Sequence, residues 1–304
     1  MFYISSMKKN KFLINYKAIE IIKTKKNIVI NKINNNKILK KENIKQNFVV
    51  IKVEYSNINY KDFLISRGYN GLVRNFPHTA GIDACGRVCY SNSKKFRIND
   101  KVFVIAQPLG VQSHGSFSEY ITIPDTWVEK LSKSFTPKEI MAIGTSGFTA
   151  VKAFNKTLKT ILKYKKKPVL VTGALSNVGM VIVFLLTNIG LNVEAVTSKK
   201  NNIKILKKLG VKKIHIFKDF IKKHNFPLLT EKYSVVFDNL GGNIIPICLK
   251  YLIKKGIFVS IGNILGNVSN INILPFILRE VEVLGINAET SSKNERKKIF
   301  SFLN

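Results

Sequence analysis

Acidic side chains, arginine and alanine are scarce in these 304 residues: 18 Asp+Glu, 6 Arg and 10 Ala stand against 44 Lys, 31 Asn and 40 Ile. The shortage of acid leaves a formal net charge of +32. Surfaces of that sign recruit polyanions through long-range fields and counterion release. The same skew is also what a strongly A+T-rich genome imposes on every protein, and here lysine is spread over loops and helix faces alike. No specific nucleic-acid partner is therefore expected. Three cysteines (Cys85, Cys89, Cys248) are too few for a disulfide framework and leave one odd, which points to the reducing cytoplasm. Cys85 and Cys89 form an isolated pair, and His78, His114, His215 and His224 have no H-x-x-x-H spacing, so no metal site is expected. A G-x-S-x-G elbow is missing, which argues against a hydrolase of that kind. The most apolar stretch, Val178 to Leu186, falls far short of the ~20 residues that span a bilayer, so no membrane partner is expected. The apolar start (Met1 to Met7) turns basic afterwards, the reverse of a secretory signal.

What is present suffices for a core. Hydrophobic residues make up 45% of the chain, which excludes disorder throughout, and the length allows two domains. The first 47 residues are rich in Lys, Asn and Ile, with a run at Asn34-Asn35-Asn36, and read as a low-complexity surface insertion. Strand-like pieces follow at Phe48–Val53, Val102–Ala106 and Tyr120–Ile123, making the front half mainly β. Thr136-Pro137-Lys138-Glu139 then combines a capping residue, Pro at the first helical position and an acid at the third, which predicts a helix start. From Pro168 the pattern alternates: Val169-Leu170-Val171, a helix from about Asn177 to Ile189, Val193–Val196, Ile214–Ile216, Val235–Phe237, and Ile257–Ile261 after a helix closed by Lys254-Lys255-Gly256. Strands separated by helices in this way imply parallel β-α-β units and a doubly wound sheet.

The sharpest motif lies where the first of these strands turns into a helix: Gly173-Ala174-Leu175-Ser176-Asn177-Val178-Gly179. Small residues there let the backbone approach a pyrophosphate, which the helix N-terminus attracts. Ser176 occupies the place of the middle glycine, and no Gly-Lys-Ser/Thr follows, which excludes a Walker loop. The second strand ends in Thr197-Ser198-Lys199-Lys200 with no acid at its tip; Glu194 lies three residues earlier. Hydroxyls and ammonium groups there suit a 2′-phosphate, so NADPH is expected over NADH, unless the lysines are simply solvated. In the front half Asn57-Ile58-Asn59-Tyr60-Lys61-Asp62 gathers amide, phenol, amine and carboxylate after a strand, and by itself reads equally well as a surface turn.

Five segments together resemble one known family. They are Asn59-Tyr60-Lys61-Asp62, Val73-Arg74-Asn75-Phe76-Pro77 with Gly81-Ile82-Asp83, Ile143-Gly144-Thr145-Ser146-Gly147-Phe148-Thr149-Ala150, and Pro275-Phe276-Ile277-Leu278-Arg279. From about residue 48 to about 290, in order and spacing, the chain is similar to the acrylyl-CoA reductase group of the zinc-independent quinone oxidoreductases, within the medium-chain dehydrogenase/reductase superfamily. The resemblance implies a GroES-like β domain (residues 1–133), a Rossmann-type NADPH domain (residues 134–304), an active site in the cleft between them, and a homodimer. It implies NADPH-dependent reduction of acrylyl-CoA to propanoyl-CoA; the alternatives are a broader quinone or enone reductase, or an inactive remnant that binds nucleotide or polyanions. By the same resemblance Tyr60 contacts the cofactor and serves as the hydrogen-bond donor of catalysis, with Asn59 and Asp62 beside it and Arg74 meeting the CoA phosphates. Gly173, Leu175, Ser176, Asn177, Val178 and Gly179 would cradle the pyrophosphate, and Thr197, Ser198 and Lys199 the 2′-phosphate. Asn263, Ile277 and Ala288 would line the cofactor further on. Family chains continue beyond the point matching Asn304 to a final strand of the β domain, so a truncated return to that domain is expected here.

Overall fold

The computed structural model describes residues 15–24, 29–38, 47–69, 71–222 and 226–303. The start from Met1 to Met7 and His224 lie outside the described residues. Contacts divide the chain after Thr145, with the stretch from Phe300 onward grouped with the first unit and Ser146–Ile299 forming the second.

The first unit holds β1 (Asn15–Lys23), β2 (Val29–Ile38), β3 (Phe48–Ser56), α1 (Tyr60–Ser66), β4 (Ala84–Ser91), β5 (Lys101–Val104), β6 (Tyr120–Pro124), β7 (Glu129–Lys130) and the start of α2 (Pro137–Lys163). Its main sheet runs β6-β3-β4-β5-β7, all antiparallel. β3 explains its unbroken apolar start: Val49 and Ile51 face one core with Val88, Val102 and Ile123, while Phe48 and Val50 face another with Tyr16 and Tyr120. A strand covered on both faces has no reason to alternate. Phe300 closes on Phe103 edge to face, ring centroids 5.1 Å apart.

The Lys-, Asn- and Ile-rich start differs from the expected surface insertion. β1 and β2 pair as an antiparallel ribbon. Ile21 exchanges backbone hydrogen bonds with His78 (2.7 and 3.0 Å), and Ile19 N donates to Phe117 O at 2.8 Å. Ala18 and Ile21 are buried, the latter packed with Ile65, Val73 and Ala80. Ala18 and Ile21, with the buried Glu20 between them, seat a strand whose other side chains stay exposed or half-exposed.

The second unit holds the rest of α2, then β8 (Val169–Thr172), α3 (Asn177–Asn188), β9 (Val193–Thr197), α4 (Ile203–Lys208), β10 (Lys213–Ile216), α5 (Phe217–Phe220), β11 (Tyr233–Asp238), α6 (Ile245–Tyr251), β12 (Leu252–Ser260), α7 (Leu274–Arg279), β13 (Glu282–Gly285) and α8 (Lys293–Leu303) as far as Ile299. The six strands are parallel in the order β10-β9-β8-β11-β12-β13, so the chain reverses direction across the sheet between β8 and β11. Both faces are covered: Val169, Val171, Val193 and Ala195 pack against Ile182, Val183 and Leu186 of α3, whereas Leu170, Val196, Val236 and Phe258 pack against Cys248 and Leu249 of α6. α3 buries residues 179, 182, 183 and 186, one stripe at helical spacing. One boundary differs from expectation. Lys254-Lys255-Gly256 lies inside β12 and does not close a helix, because α6 ends at Tyr251 and the buried Leu252 and Ile253 already belong to the strand. Among the described residues no helix is long and apolar enough to cross a membrane.

Candidate functional site

In an open parallel sheet, ligands bind outside the carboxyl ends of the strands where the strand order reverses. At that point here stand Gly173 after β8 and Asn239 after β11. Gly173 adopts φ +55°, and a Cβ on it would lie 3.0 Å from Leu240 and 3.2 Å from Asn239. A Cβ at Gly179 would come within 2.5 Å of the Gly173 carbonyl oxygen, so α3 can start this close to the loop only with glycine there. Thr172 Oγ1 donates to Asp238, whose carboxylate also accepts from Leu240 N (3.2 Å) and Gly241 N (2.9 Å). Burial pushes this carboxyl up from the usual carboxylate range. Asn239 Nδ2 donates to Thr172 O at 2.8 Å, and its Oδ1 is buried with no partner among the described residues. An orphaned acceptor beside a glycine cradle fits a site completed by a bound group.

Ser176 departs from the glycine expected at its place, and the structure gives it a definite task. It is the N-cap of α3, its Oγ accepting from Gly179 N at 3.1 Å. The hydroxyl therefore takes one first-turn amide, while the amides of Asn177 and Val178 belong to the open end of the helix. Leu175 is half-buried against the core of this unit. At the end of β9, Thr197 is buried and its Oγ1 accepts from Lys199 N at 3.1 Å, so its hydroxyl braces the turn and the exposed Ser198 and Lys199 side chains face solvent.

Further along the same edge of the sheet, a cavity of about 610 Å³ opens at the ends of β12 and β13, lined by Ser260, Asn263, Gly285, Asn287 and Thr290 among others. Asn263 is exposed and hydrogen-bonded to Asn267; Ala288 is buried in the turn after β13; Ile277 is 63% exposed on α7. Arg279, the last residue of the Pro275–Arg279 segment, is structural: its guanidinium donates to the carbonyls of Lys250, Leu252 and Leu229.

In the first unit, Tyr60 opens α1 with its ring 44% exposed and stacked on Phe63. Asn59 and Asp62, expected to act beside it, are turned inward. Asp62 accepts from the backbone of Asn59 (2.8 Å), Gly81 (2.9 Å) and Ile82 (3.0 Å). Burial raises its pKa against the pull of those bonds. Asn59 Nδ2 donates to Asp83 Oδ2 at 2.9 Å. Both hold the turn that presents Tyr60.

Asp83 is the centre of this network and is fully buried. It accepts from Thr145 N (2.9 Å) and Thr145 Oγ1 (2.5 Å), just past Gly144, where α2 kinks at φ 51°. Burial pushes its carboxyl up to about 6, opposed by the hydrogen bonds. Arg74 is exposed on a loop.

The sequence pattern assigned no role to Asp83, Thr145, Asp238, Asn239 or Lys152. A polar pair followed by glycine at a strand end, Asp238-Asn239-Leu240-Gly241, was a usable signal for two of them.

A second polar cluster belongs to the nucleotide-type sheet. The buried carboxylate of Glu194 accepts from His215 Nε2 (2.7 Å), Lys232 Nζ (2.7 Å) and Tyr233 OH (2.8 Å). Burial alone would raise its pKa; the three donors outweigh that and hold it at about 2, against an ordinary 4.5.

Two family models match: Alcohol dehydrogenase GroES-like domain over residues 45–133, and Zinc-binding dehydrogenase over 177–304. Acrylyl-CoA reductase AcuI of Ruegeria pomeroyi is 33% identical over 241 residues, 79% of this chain and 73% of its own length. YhfP of Bacillus subtilis, provisionally named a quinone oxidoreductase, is 34% identical over 252 residues, 83% of this chain and 76% of its own. The chain belongs to the quinone oxidoreductase and acrylyl-CoA reductase group. Solved structures of this reductase group share its fold. YhfP with NAD bound matches at TM-score 0.84 and 30% identity, over 95% of this chain and 86% of that one. The YhdH oxidoreductase of Salmonella enterica in complex with NADP matches at 0.85 and 25%, over 94% and 87%. Among the described residues no group of three or more His, Cys, Asp or Glu side chains could hold a metal ion. Burial pushes the Cys85 thiol up to about 12, away from the thiolate a metal needs.

Proposed function

We propose that this oxidoreductase reduces an α,β-unsaturated acyl-CoA with NADPH, acrylyl-CoA to propanoyl-CoA being the reaction of choice. The observation that supports it most is the glycine cradle and capped α3 at the reversal of the sheet, with the orphaned Asn239 acceptor beside it. Gly173 to Gly179 hold the pyrophosphate on the amides of Asn177 and Val178, and Ser198 and Lys199 meet the 2′-phosphate. Lysine lacks the planar fork of arginine, so NADPH is preferred over NADH by charge and less by geometry. Asn263, Ile277 and Ala288 line the remainder. When bound, NADPH supplies the hydride, which adds to the β-carbon of the thioester. Charge then develops on the thioester oxygen, where a donor must meet it before the α-carbon takes a proton. Tyr60 is that donor; Asn59 and Asp62 fix the turn it stands on. Arg74 takes the CoA phosphates, a role read in the same assay as a KM difference between the thioester and a phosphate-free enone.

The test titrates the full chain with NADPH and then adds acrylyl-CoA. Binding followed by cofactor oxidation is expected. Tyr60→Phe is expected to lower kcat about a hundredfold, the scale of one lost oxyanion donor; unchanged NADPH affinity and turnover would remove Tyr60 from the mechanism. Oxidation by a quinone but not by acrylyl-CoA makes the protein a quinone reductase. Binding without any oxidation makes it a nucleotide-binding remnant.

We also infer a homodimer through β13. Among the described residues this edge strand pairs with β12 alone and carries Val283, 55% exposed, and α7 just before it in the chain exposes Ile277 and Leu278 at 63% and 56%. Sedimentation should give about twice the 34.4 kDa of the chain, and Val283→Lys should give the single mass. A wild-type chain sedimenting at the single mass rejects the pairing.

A further inference from the structure

Lys152 stands in α2 between Val151 and Ala153, both fully buried, and is itself only 5% exposed. A buried ammonium persists only where acceptors surround it. Among the described residues they come from the turn after β13 and the start of α8: Nζ donates to Asn287 O and Ser291 Oγ, each at 2.8 Å, and pairs with Glu295 at 3.2 Å. The turn it grips is closed on itself. Asn287 Oδ1 accepts from Glu289 N (3.0 Å), Asn287 O accepts from Thr290 Oγ1 (3.2 Å), and Ser291 Oγ donates to Ala288 O (2.9 Å). Asn287 and Thr290 of this turn, with Lys152 itself, line the 610 Å³ cavity at the ends of β12 and β13.

The sheet order tells which part of a dinucleotide reaches that cavity. With the pyrophosphate at β8 and the 2′-phosphate at β9, the opposite half of the molecule extends over β11, β12 and β13. We propose that Lys152 is a positioning residue: its ammonium fixes the turn from Asn287 to Ser291 as one wall of the cavity that receives the nicotinamide half of the cofactor. The proposal rests on the NADPH reading above. It explains why a lysine occupies a buried helix face where an apolar residue would pack at less electrostatic cost.

The experiment compares two ligands on the full chain: NADPH, and 2′-phospho-ADP-ribose, which lacks the nicotinamide ring. Lys152→Met is expected to weaken NADPH about tenfold, the scale of a small misplacement of a binding wall, while 2′-phospho-ADP-ribose binds as before. Glu295→Gln keeps both Nζ hydrogen bonds to the turn and should leave both affinities unchanged while lowering Tm. Ser291→Ala removes one of those bonds and serves if Lys152→Met does not fold; it should weaken NADPH selectively and by less. Equal affinities for NADPH in wild type, Lys152→Met and Ser291→Ala, or equal weakening of both ligands in these two variants, overturns the positioning role. A wild-type chain that binds neither ligand defeats the cofactor reading instead, so the two failures are told apart.

Discussion

Replacing Asp83 with alanine is expected to destabilise the first unit by about 3–5 kcal/mol, since one buried and two partly buried donors lose their acceptor at about 1–3 kcal/mol each with partial relaxation. The donors are Thr145 N–H, Thr145 Oγ1 and Asn59 Nδ2. The sign of the pH dependence follows from the raised pKa of about 6 against an ordinary 3.8. The folded state holds this proton more tightly than the unfolded chain does. The contribution of Asp83 is therefore complete below about pH 3.8 and declines as pH rises through about 6. Asp83→Ala should cost more at pH 4 than at pH 7. Urea denaturation followed at both values checks this, and a cost that grows toward neutral pH contradicts the assignment. Because Asp83 links the Asn59 turn to Thr145, the variant should also lose turnover at temperatures where it remains folded.

Glu194→Ala is expected to cost about 3 kcal/mol at pH 7, with the opposite dependence. Removing the carboxylate leaves the Tyr233 hydroxyl buried and deprives Lys232 and His215 of their shared acceptor. Its pKa is depressed to about 2, so its contribution is present above about pH 4.5 and is lost as pH falls toward 2. Wild type and variant should converge in stability near the acid limit and separate above it. Thermal unfolding across pH 2.5–7 checks this, and parallel curves would mean that the three donors are satisfied without the carboxylate. The two carboxylates lie in different units, so the two variants should also shift different transitions wherever unfolding resolves into two steps.

Local chemistry made much of this legible. Thr136 and Glu139 do cap α2 reciprocally, with Thr136 N donating to Glu139 at 2.8 Å and Glu139 N to Thr136 Oγ1 at 3.2 Å. Gly173 to Gly179 do join β8 to α3, because the tight turn and the cap are specified by neighbours in sequence. What stayed hidden depends on pairs far apart along the chain. Asp83 meets Thr145 across 62 residues and Lys152 meets Asn287 across 135, and no periodicity records such partners. Lys152 was further masked by composition, as one lysine among 44. Asn59 and Asp62 were visible as a polar group but not in their orientation: a carboxylate two residues from an exposed phenol reads the same whether it faces solvent or backbone amides.

The β1–β2 ribbon bears on how such a composition can accumulate at all. Along β1 the polar Asn15, Lys17 and Lys23 are exposed or half-exposed, whereas Ala18, Glu20 and Ile21 are shut in. A mutational bias toward lysine and asparagine can therefore run freely through the positions that the ribbon leaves in solvent and is halted at those it buries. The segment that looks most like genomic noise is then a filtered record: deep substitution scanning across 15–24 should show tolerance lowest at Ala18, Glu20 and Ile21 and higher at the exposed positions, and a flat profile would mean that the ribbon contributes nothing to the fold.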